Sequence, residues 1–351
     1  MAEISLCMIV RNEEDVLERC LQSVHAAVDE IIIADTGSAD RTKEIAAAFT
    51  SKIYDFPWCD DFAAARNFAF SKAEKDYQMW LDADDVLEDP DALLRLKEGL
   101  TADVVMLPYH VAFDKQGSPL TSYYRERLLK RSRGFRWEGA VHECITPSGA
   151  ILYGNAAVLH KKLHTGDPDR NLRIYEMLLA SGRSLTPREQ YYYARELYYH
   201  RRFADAAEAF RCFLDRDGWL EDRIGACLLL SECLENTGDL IGAKSALLRT
   251  LLWDEPRAEV CCALGRLFFG EKRYPEAVFW YKAALSAPFP VGGFSQGDCH
   301  DYIPLLQLCV CYDRMGNIRE ACAYNERAGR IRPKGEAYLA NRVYFLNQRD
   351  F

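Results

Sequence analysis

The chain begins with a continuous apolar run, Ile4–Val10 (ISLCMIV), and turns polar at Asn12-Glu13-Glu14-Asp15. An uninterrupted apolar run of strand length predicts a strand covered on both faces. The polar residues after it predict the start of a helix that buries Val16, Leu17, Cys20 and Leu21. The pattern then recurs. Ile31–Ala34 reads as a second strand ending at Asp35-Thr36-Gly37-Ser38, with a helix starting near Asp40. A third strand at Lys52–Tyr54, a helix over Ala63–Lys72 and a strand Tyr77–Leu81 that runs into Asp82-Ala83-Asp84-Asp85 continue a βαβ rhythm, which implies parallel strands between helices. Val104–Leu107, Glu126–Lys130 and Ala156–Leu159 predict further strands and a mixed sheet.

After about Pro187 the apolar spacing is helical throughout. Four segments, Tyr191–Asp215, Arg223–Pro256, Arg257–Ala287 and Tyr302–Pro333, each read as helix, turn, helix. Small residues in their second helices, Ala207, Ala243, Ala277 and Ala321, are separated by 36, 34 and 44 positions, the last including a loop at Pro288–Cys299. A 34-residue spacing is the tetratricopeptide period, so residues 187–351 resemble a short tetratricopeptide array closed by a capping helix at Glu336–Asn347. An irregular helical bundle is the alternative.

Composition narrows the picture. The chain has 351 residues, 49% hydrophobic and 28% charged, with a formal net charge of −9, which describes an ordinary globular protein of about two domains. Residues 1–165 carry a net charge of −8 and residues 166–351 only −1. Binding to a nucleic-acid backbone needs a clustered cationic surface, so the net acidic charge argues against nucleic acid as the partner. A carboxylate load confined to one half suits a metal-dependent site or an acidic surface. Thirteen cysteines, an odd number without a Cys-x-x-Cys pair, predict free thiols in a reducing, cytoplasmic compartment. The opening MAEISLCMIVRNEE has no signal-peptide pattern, and no apolar run reaches the ~18 residues of a membrane span.

The α/β half lacks both G-x-G-x-x-G and G-x-x-x-x-G-K-[ST], so the usual phosphate-cradling loops are missing. Carboxylates that hold a divalent metal are another route to phosphate. Asp82 and Asp84 alternate out of the end of a buried strand and converge at the sheet edge where open α/β folds bind ligands. Such a D-x-D pair also arises in ordinary acidic loops, and its surroundings decide.

Ser5–Glu14 (SLCMIVRNEE), Ile31–Thr42 (IIIADTGSADRT), Phe62–Ala69 (FAAARNFA) and Trp80–Asp85 (WLDADD), in that order, resemble glycosyltransferase family 2. Phe135–Glu143 (FRWEGAVHE) and Leu163–Gly166 (LHTG) resemble the branch with carboxy-terminal tetratricopeptide repeats, which includes peptide S-glycosyltransferases. The resemblance implies a GT-A domain over residues 1–165, a linker or helix at 166–186 and the repeats at 187–351. It also implies inversion at the anomeric carbon, a nucleotide-diphosphate sugar donor (UDP favoured), and Mn²⁺ or Mg²⁺.

Residue by residue, it places Asp35 on the base, Val10 and Arg11 beside the nucleotide, and Arg66 and Asn67 near the diphosphate. Asp82 and Ala83 fall on the donor and Asp84 on the metal. Glu143 is the expected general base with His142 orienting it, against Glu138 and Asp85 as rivals. His164 is the expected further metal ligand, with His160 as its rival. The basic run Arg125, Arg127, Lys130, Arg131, Arg133, Arg136 is either a binding surface for an anion or a solvated edge strand. Trp58, Phe56 and Trp137 either stack on a ligand or fill the core. The acceptor is expected to be a peptide or protein held partly by the repeats, which also offer a surface for a homodimer. A lipid-linked sugar acceptor, and a repeat scaffold with a degenerate transferase half, are the alternatives. A sugar-nucleotide pyrophosphorylase would need a Gly-rich basic loop where Val10-Arg11-Asn12-Glu13-Glu14 stands.

Overall fold

A computed structural model describes residues 1–113, 119–163, 166–289 and 296–347. The chain divides into two compact units, Met1–Arg183 and Ser184–Phe351.

In the first unit, β1 (Ile4–Val10) lies between β2 (Glu30–Asp35) and β4 (Tyr77–Trp80), parallel to both, and β3 (Ile53–Asp55) extends the sheet beyond β2. The continuous apolar runs are explained by this central position: β1, β2 and β4 are buried on both faces. Helices α1 (Leu17–Val24) and α2 (Thr42–Ala47) connect β1 to β2 and β2 to β3, and α3 (Phe62–Ser71) leads into β4. Leu17, Cys20, Leu21 and Val24 of α1 join the core on one side of the sheet, while Ala63, Ala69 and Phe70 of α3 join the core on the other.

Beyond β4 the sheet turns antiparallel. A long hairpin, β6 (Val104–Phe113) and β7 (Pro119–Lys130), places β7 between β4 and β6. The short strands β5 (Asp85–Leu87), β8 (Ile151–Tyr153) and β9 (Val158–His160) complete the sheet, whose path is β3-β2-β1-β4-β7-β6-β9-β5 with β8 on β6. The solvated-edge reading of the basic run is thereby corrected in part: Arg131, Arg133 and Arg136 are exposed, but they lie beyond the end of β7. β7 is an interior strand and Arg127 is fully buried, because a buried carboxylate described below partners it. Helices α4 (Pro90–Lys97) and α5 (Arg170–Ala180) finish the unit. The latter buries Leu172, Ile174 and Tyr175, the Tyr175 hydroxyl donating to the Val141 carbonyl.

The second unit is a series of antiparallel helix pairs: α6 (Pro187–Tyr199) with α7 (Phe203–Leu214), α8 (Leu220–Asn236) with α9 (Leu240–Arg249), α10 (Ala258–Gly270) with α11 (Tyr274–Ser286), and α13 (Tyr302–Arg314) with α14 (Ile318–Ile331). The short α12 (Gly297–His300) precedes the fourth pair and α15 (Glu336–Asn347) follows it. Each pair turns through one left-handed residue: Arg201, Gly238, Lys272 and Gly316, with φ of 58°, 86°, 61° and 75°. Counting five residues on from that turn gives Ala206, Ala243, Ala277 and Ala321, all with no exposure. The first repeat is therefore in register at Ala206, one residue before the Ala207 expected from sequence. Both alanines are buried, so the apolar pattern alone does not choose between them, whereas the turn geometry does.

Candidate functional site

The carboxyl ends of β1, β2 and β4 form one edge of the parallel sheet, the place where open α/β folds bind ligands. Asp35 closes β2 with only 2% exposure. Its Oδ2 accepts hydrogen bonds from the amides of Gly37 (3.1 Å) and Ser38 (3.0 Å), while Oδ1 is buried with no partner among the described residues. The sharp turn needs Gly37, whose φ is 104°. Val10 stands opposite Asp35 in the β1–β2 register, and its carbonyl accepts from the Thr36 amide (2.9 Å). Arg11 beside it is exposed.

Across the edge, Asp61 caps α3 by accepting from the Ala64 amide at 2.8 Å, which fixes the first turn and carries Arg66 inward. The buried Arg66 guanidinium donates from Nη2 to Asp82 Oδ1 (2.7 Å) and from Nε to Glu143 Oε1 (2.6 Å). Its carbon lies 5.2 Å and 4.7 Å from the ring centroids of Trp80 and Trp137. Nη1 is buried without a partner among the described residues. Burial pushes the Asp82 carboxyl up, but the charge and hydrogen bond of Arg66 outweigh it and hold the group below the usual carboxylate range. Asn67 faces away from Asp82: its side-chain amide grips the backbone of Trp137, donating to the carbonyl and accepting from the amide, both at 2.9 Å. Trp137 itself packs with Trp80 and Phe70.

Glu143 arrives on a tight turn in which Glu138 and Cys144 exchange backbone hydrogen bonds of 2.9 and 3.0 Å. Gly139 (φ 96°) and His142 (φ 52°) take left-handed conformations inside it. Left-handed backbone is costly for a histidine, and it turns the Glu143 side chain toward Arg66. Glu138 is exposed.

The four residues of Asp82–Asp85 differ in burial and in partners. Ala83 packs into the core. Asp85 is fully buried, its Oδ2 accepting from Arg127 Nη1 (3.0 Å) and the Asp82 amide (3.1 Å), its Oδ1 from the Tyr109 hydroxyl (3.0 Å). Arg127 is sandwiched between the rings of Trp80 (3.8 Å) and Tyr109 (4.4 Å). Asp84 is left partly exposed. Burial, together with the charges of Asp82 and Asp85, raises its carboxyl above the usual range against the pull of His160.

The β5–β9 pairing sets His160 opposite Asp85, and His160 Nδ1 lies 3.4 Å from both Asp84 Oδ1 and Asp85 Oδ1. The hydrogen bond to Asp85 and the neighbouring carboxylates raise the imidazole above its ordinary value, although burial opposes them. One donor atom each from Asp84, Asp85 and His160 lies within 4.8 Å of the others. Because Asp85 is already engaged by Arg127 and Tyr109, the carboxylate of Asp84 and the imidazole of His160 are the donors open to a cation. An oxygen and a nitrogen donor suit Mn²⁺ and, less well, Mg²⁺. His164 lies outside the described residues.

Sequence reasoning missed Arg127, Tyr109 and Asp85 as a buried network. A usable signal existed. Arg127 alternates with Leu129 on one face of a strand, and Asp85 opens the apolar strand Asp85–Leu87, so a buried charge on one had to meet its opposite.

Residues 5–154 match the family model described as glycosyl transferase family 2. A tetratricopeptide repeat-containing protein of Synechococcus elongatus is 40% identical over 149 residues, covering 42% of this chain and 36% of that protein. The SPbeta prophage-derived glycosyltransferase SunS of Bacillus subtilis is 27% identical over 218 residues, covering 56% of this chain and 49% of that protein. The chain thus spans under half the length of these curated relatives. Among solved structures, PilW, a type IV pilus biogenesis factor, is 18% identical with a TM-score of 0.40, over 49% of this chain and 74% of that one. The family match covers the strands and helix that carry Asp35, Arg66 and the Asp82–Asp85 turn, and residues 5–154 are a glycosyltransferase family 2 domain, followed in the same chain by tetratricopeptide-like helical repeats.

Proposed function

We propose that the first unit transfers a sugar, with inversion, from a nucleotide-diphosphate donor, a UDP-sugar, to a nucleophilic group of a peptide or protein. The observation that carries this reading is the pair of unspent polar atoms at the sheet edge, an acceptor on Asp35 and a donor on Arg66, beside the Asp84–His160 pair. A buried polar atom without a partner costs roughly 1–3 kcal/mol, a cost that a ligand removes. Asp35 Oδ1 accepts from the base N–H, and Arg66 Nη1 donates to the diphosphate.

Asp84 and His160 would hold the divalent cation, which would supply positive charge against the departing diphosphate. Glu143 takes the proton of the acceptor hydroxyl or thiol as its heteroatom bonds to the anomeric carbon and the bond from that carbon to the phosphate oxygen breaks. The bond from Arg66 Nε keeps the Glu143 carboxylate oriented while it waits. Of the rival bases, Asp85 has no exposed surface from which to meet an acceptor. The helical repeats present the extended surface that a peptide or protein acceptor requires.

A calorimetric panel of UDP, GDP and dTDP with their common sugars, each in Mn²⁺ and in EDTA, tests the reading. UDP and one UDP-sugar bind, and binding weakens at least ~10-fold in EDTA. Absence of binding to every nucleotide would leave the domain a scaffold and overturn the proposal.

A further inference from the structure

Asn12 follows the end of β1 but opens no helix, since α1 starts only at Leu17. Its backbone is left-handed, with φ 54°. Asn accepts this conformation more readily than most side chains, yet at a cost that Gly would not carry. The conformation turns two polar groups of one residue toward the loop after β2. The Asn12 amide donates to Ser38 Oγ (3.0 Å), and Asn12 Oδ1 accepts from the Ala39 amide (2.8 Å).

That loop carries Asp35. Thr36 is tied back to the Val10 carbonyl by its amide (2.9 Å) and its hydroxyl (3.1 Å). Ser38 serves two partners: its amide holds Asp35 Oδ2 and its hydroxyl receives Asn12. The tip between them is open, because a Cβ on Gly37 would meet nothing within 4 Å. Packing therefore does not hold the tip, and the hydrogen bonds do. The same seam continues toward α2, with the Glu13 amide on Thr42 Oγ1 (2.7 Å) and the Glu14 amide on Asp40 Oδ2 (3.2 Å). A carboxylate on its last side-chain torsion has a broad preference, so Asp35 presents one chosen oxygen only if the Gly37 and Ser38 amides stay in place.

We infer that Asn12 is a positioning residue for base recognition: by clasping Ser38 and Ala39 it keeps Asp35 Oδ2 on the loop amides and Oδ1 turned toward the base. The inference rests on the donor reading proposed above. A carboxylate only accepts, so a fixed Oδ1 favours uracil, whose ring nitrogen at that edge carries a hydrogen, over cytosine, whose corresponding nitrogen is itself an acceptor.

Calorimetry of UDP and CDP with the full chain in Mn²⁺ tests this for wild type, Asn12→Gly, Asp35→Ala and the double variant. Gly keeps the left-handed backbone and the amide donor to Ser38, so only the carboxamide is lost. Asn12→Gly weakens UDP binding by roughly 3–10-fold, as expected for one hydrogen bond, and leaves CDP binding and the melting temperature unchanged. In the Asp35→Ala background it has no further effect on UDP. A wild type that binds no UDP overturns the donor reading and this inference with it. A wild type that binds UDP while Asn12→Gly binds it equally well overturns the inference alone. Parallel loss of UDP and CDP, or an undiminished loss of UDP in the Asp35→Ala background, would show general loosening of the loop and overturns it too.

Discussion

Replacing Arg127 by Met tests the buried ion pair beneath the candidate site. Both Arg127 and Asp85 are fully buried, so the substitution strands a carboxylate with no exposure to water. Breaking such a pair by removing one partner costs roughly 3–5 kcal/mol. The stacking of the guanidinium between Trp80 and Tyr109 is lost as well, although the Met side chain keeps part of that contact. Together these give a loss near 4 kcal/mol, or about a thousandfold in an opening equilibrium. Native-state hydrogen exchange in the whole chain reads this directly at the amides of β5 and β7, the strands that hold the pair. Arg127→Met combined with Asp85→Asn removes both charges, the Asn oxygen accepting from the Asp82 amide while its side-chain NH2 donates to the Tyr109 hydroxyl oxygen. Its stability should return to within ~2 kcal/mol of wild type. A single Arg127→Met variant that costs less than ~1 kcal/mol would refute the reasoning, because no buried charge could then have been uncovered.

Arg201→Gly and Lys272→Gly relieve left-handed backbone at the turns of the first and third helix pairs and each raise stability by about 0.5–1 kcal/mol, read as a higher melting temperature. Gly265→Val lowers it by roughly 1–3 kcal/mol, since even a Cβ on Gly265 meets the Tyr281 ring at 2.8 Å. Asp61→Ala removes the cap of α3 and costs ~1 kcal/mol in thermal unfolding. Burial raises the Glu30 carboxyl, but hydrogen bonds from Lys52, Ser5 and the Glu74 amide outweigh it and hold the group below the usual range. Its contribution to stability is therefore complete above the unfolded value of about 4.3 and lost as pH falls through the lower folded value, so Glu30→Gln flattens the acid limb of a stability profile.

The parallel half of the sheet was legible because burial on both faces writes itself as runs such as Ile4–Val10, and the structure reproduces that run residue for residue. Strands that meet the core on one side were harder. The three residues of β8 are all exposed, and the carboxyl-terminal part of β6 and the amino-terminal part of β7 mix polar and apolar positions, so only the amino end of β6 and the carboxyl end of β7 were anticipated.

The helix pairs were visible through their 34-residue spacing, but the register of the first pair depended on Arg201 taking a glycine conformation, which no apolar pattern encodes. At the site, the sequence drew attention to the carboxylates of Asp82–Asp85 without separating their tasks. Asp82 meets Arg66, Asp85 meets Arg127, and Asp84 is left for His160, a division set by partners 16, 42 and 76 residues distant in the chain. Asn67, next to Arg66 in sequence, turns to the Trp137 backbone because adjacent helix positions point in different directions. The thirteen cysteines are all free thiols and nine are buried, as apolar helical spacing suggests. No helix among the described residues is long and apolar enough to cross a membrane.

The most direct test of the central claim is UDP binding by calorimetry, with Mn²⁺ and with EDTA, for the wild type, Asp84→Ala and His160→Ala. The account predicts that Mn²⁺ strengthens UDP binding to wild type and that either substitution removes at least ~10-fold of that gain while melting temperature without metal stays within a few degrees. Equal UDP affinity in Mn²⁺ and EDTA for the wild type, or a full metal-dependent gain retained by both variants, would contradict a cation held by Asp84 and His160.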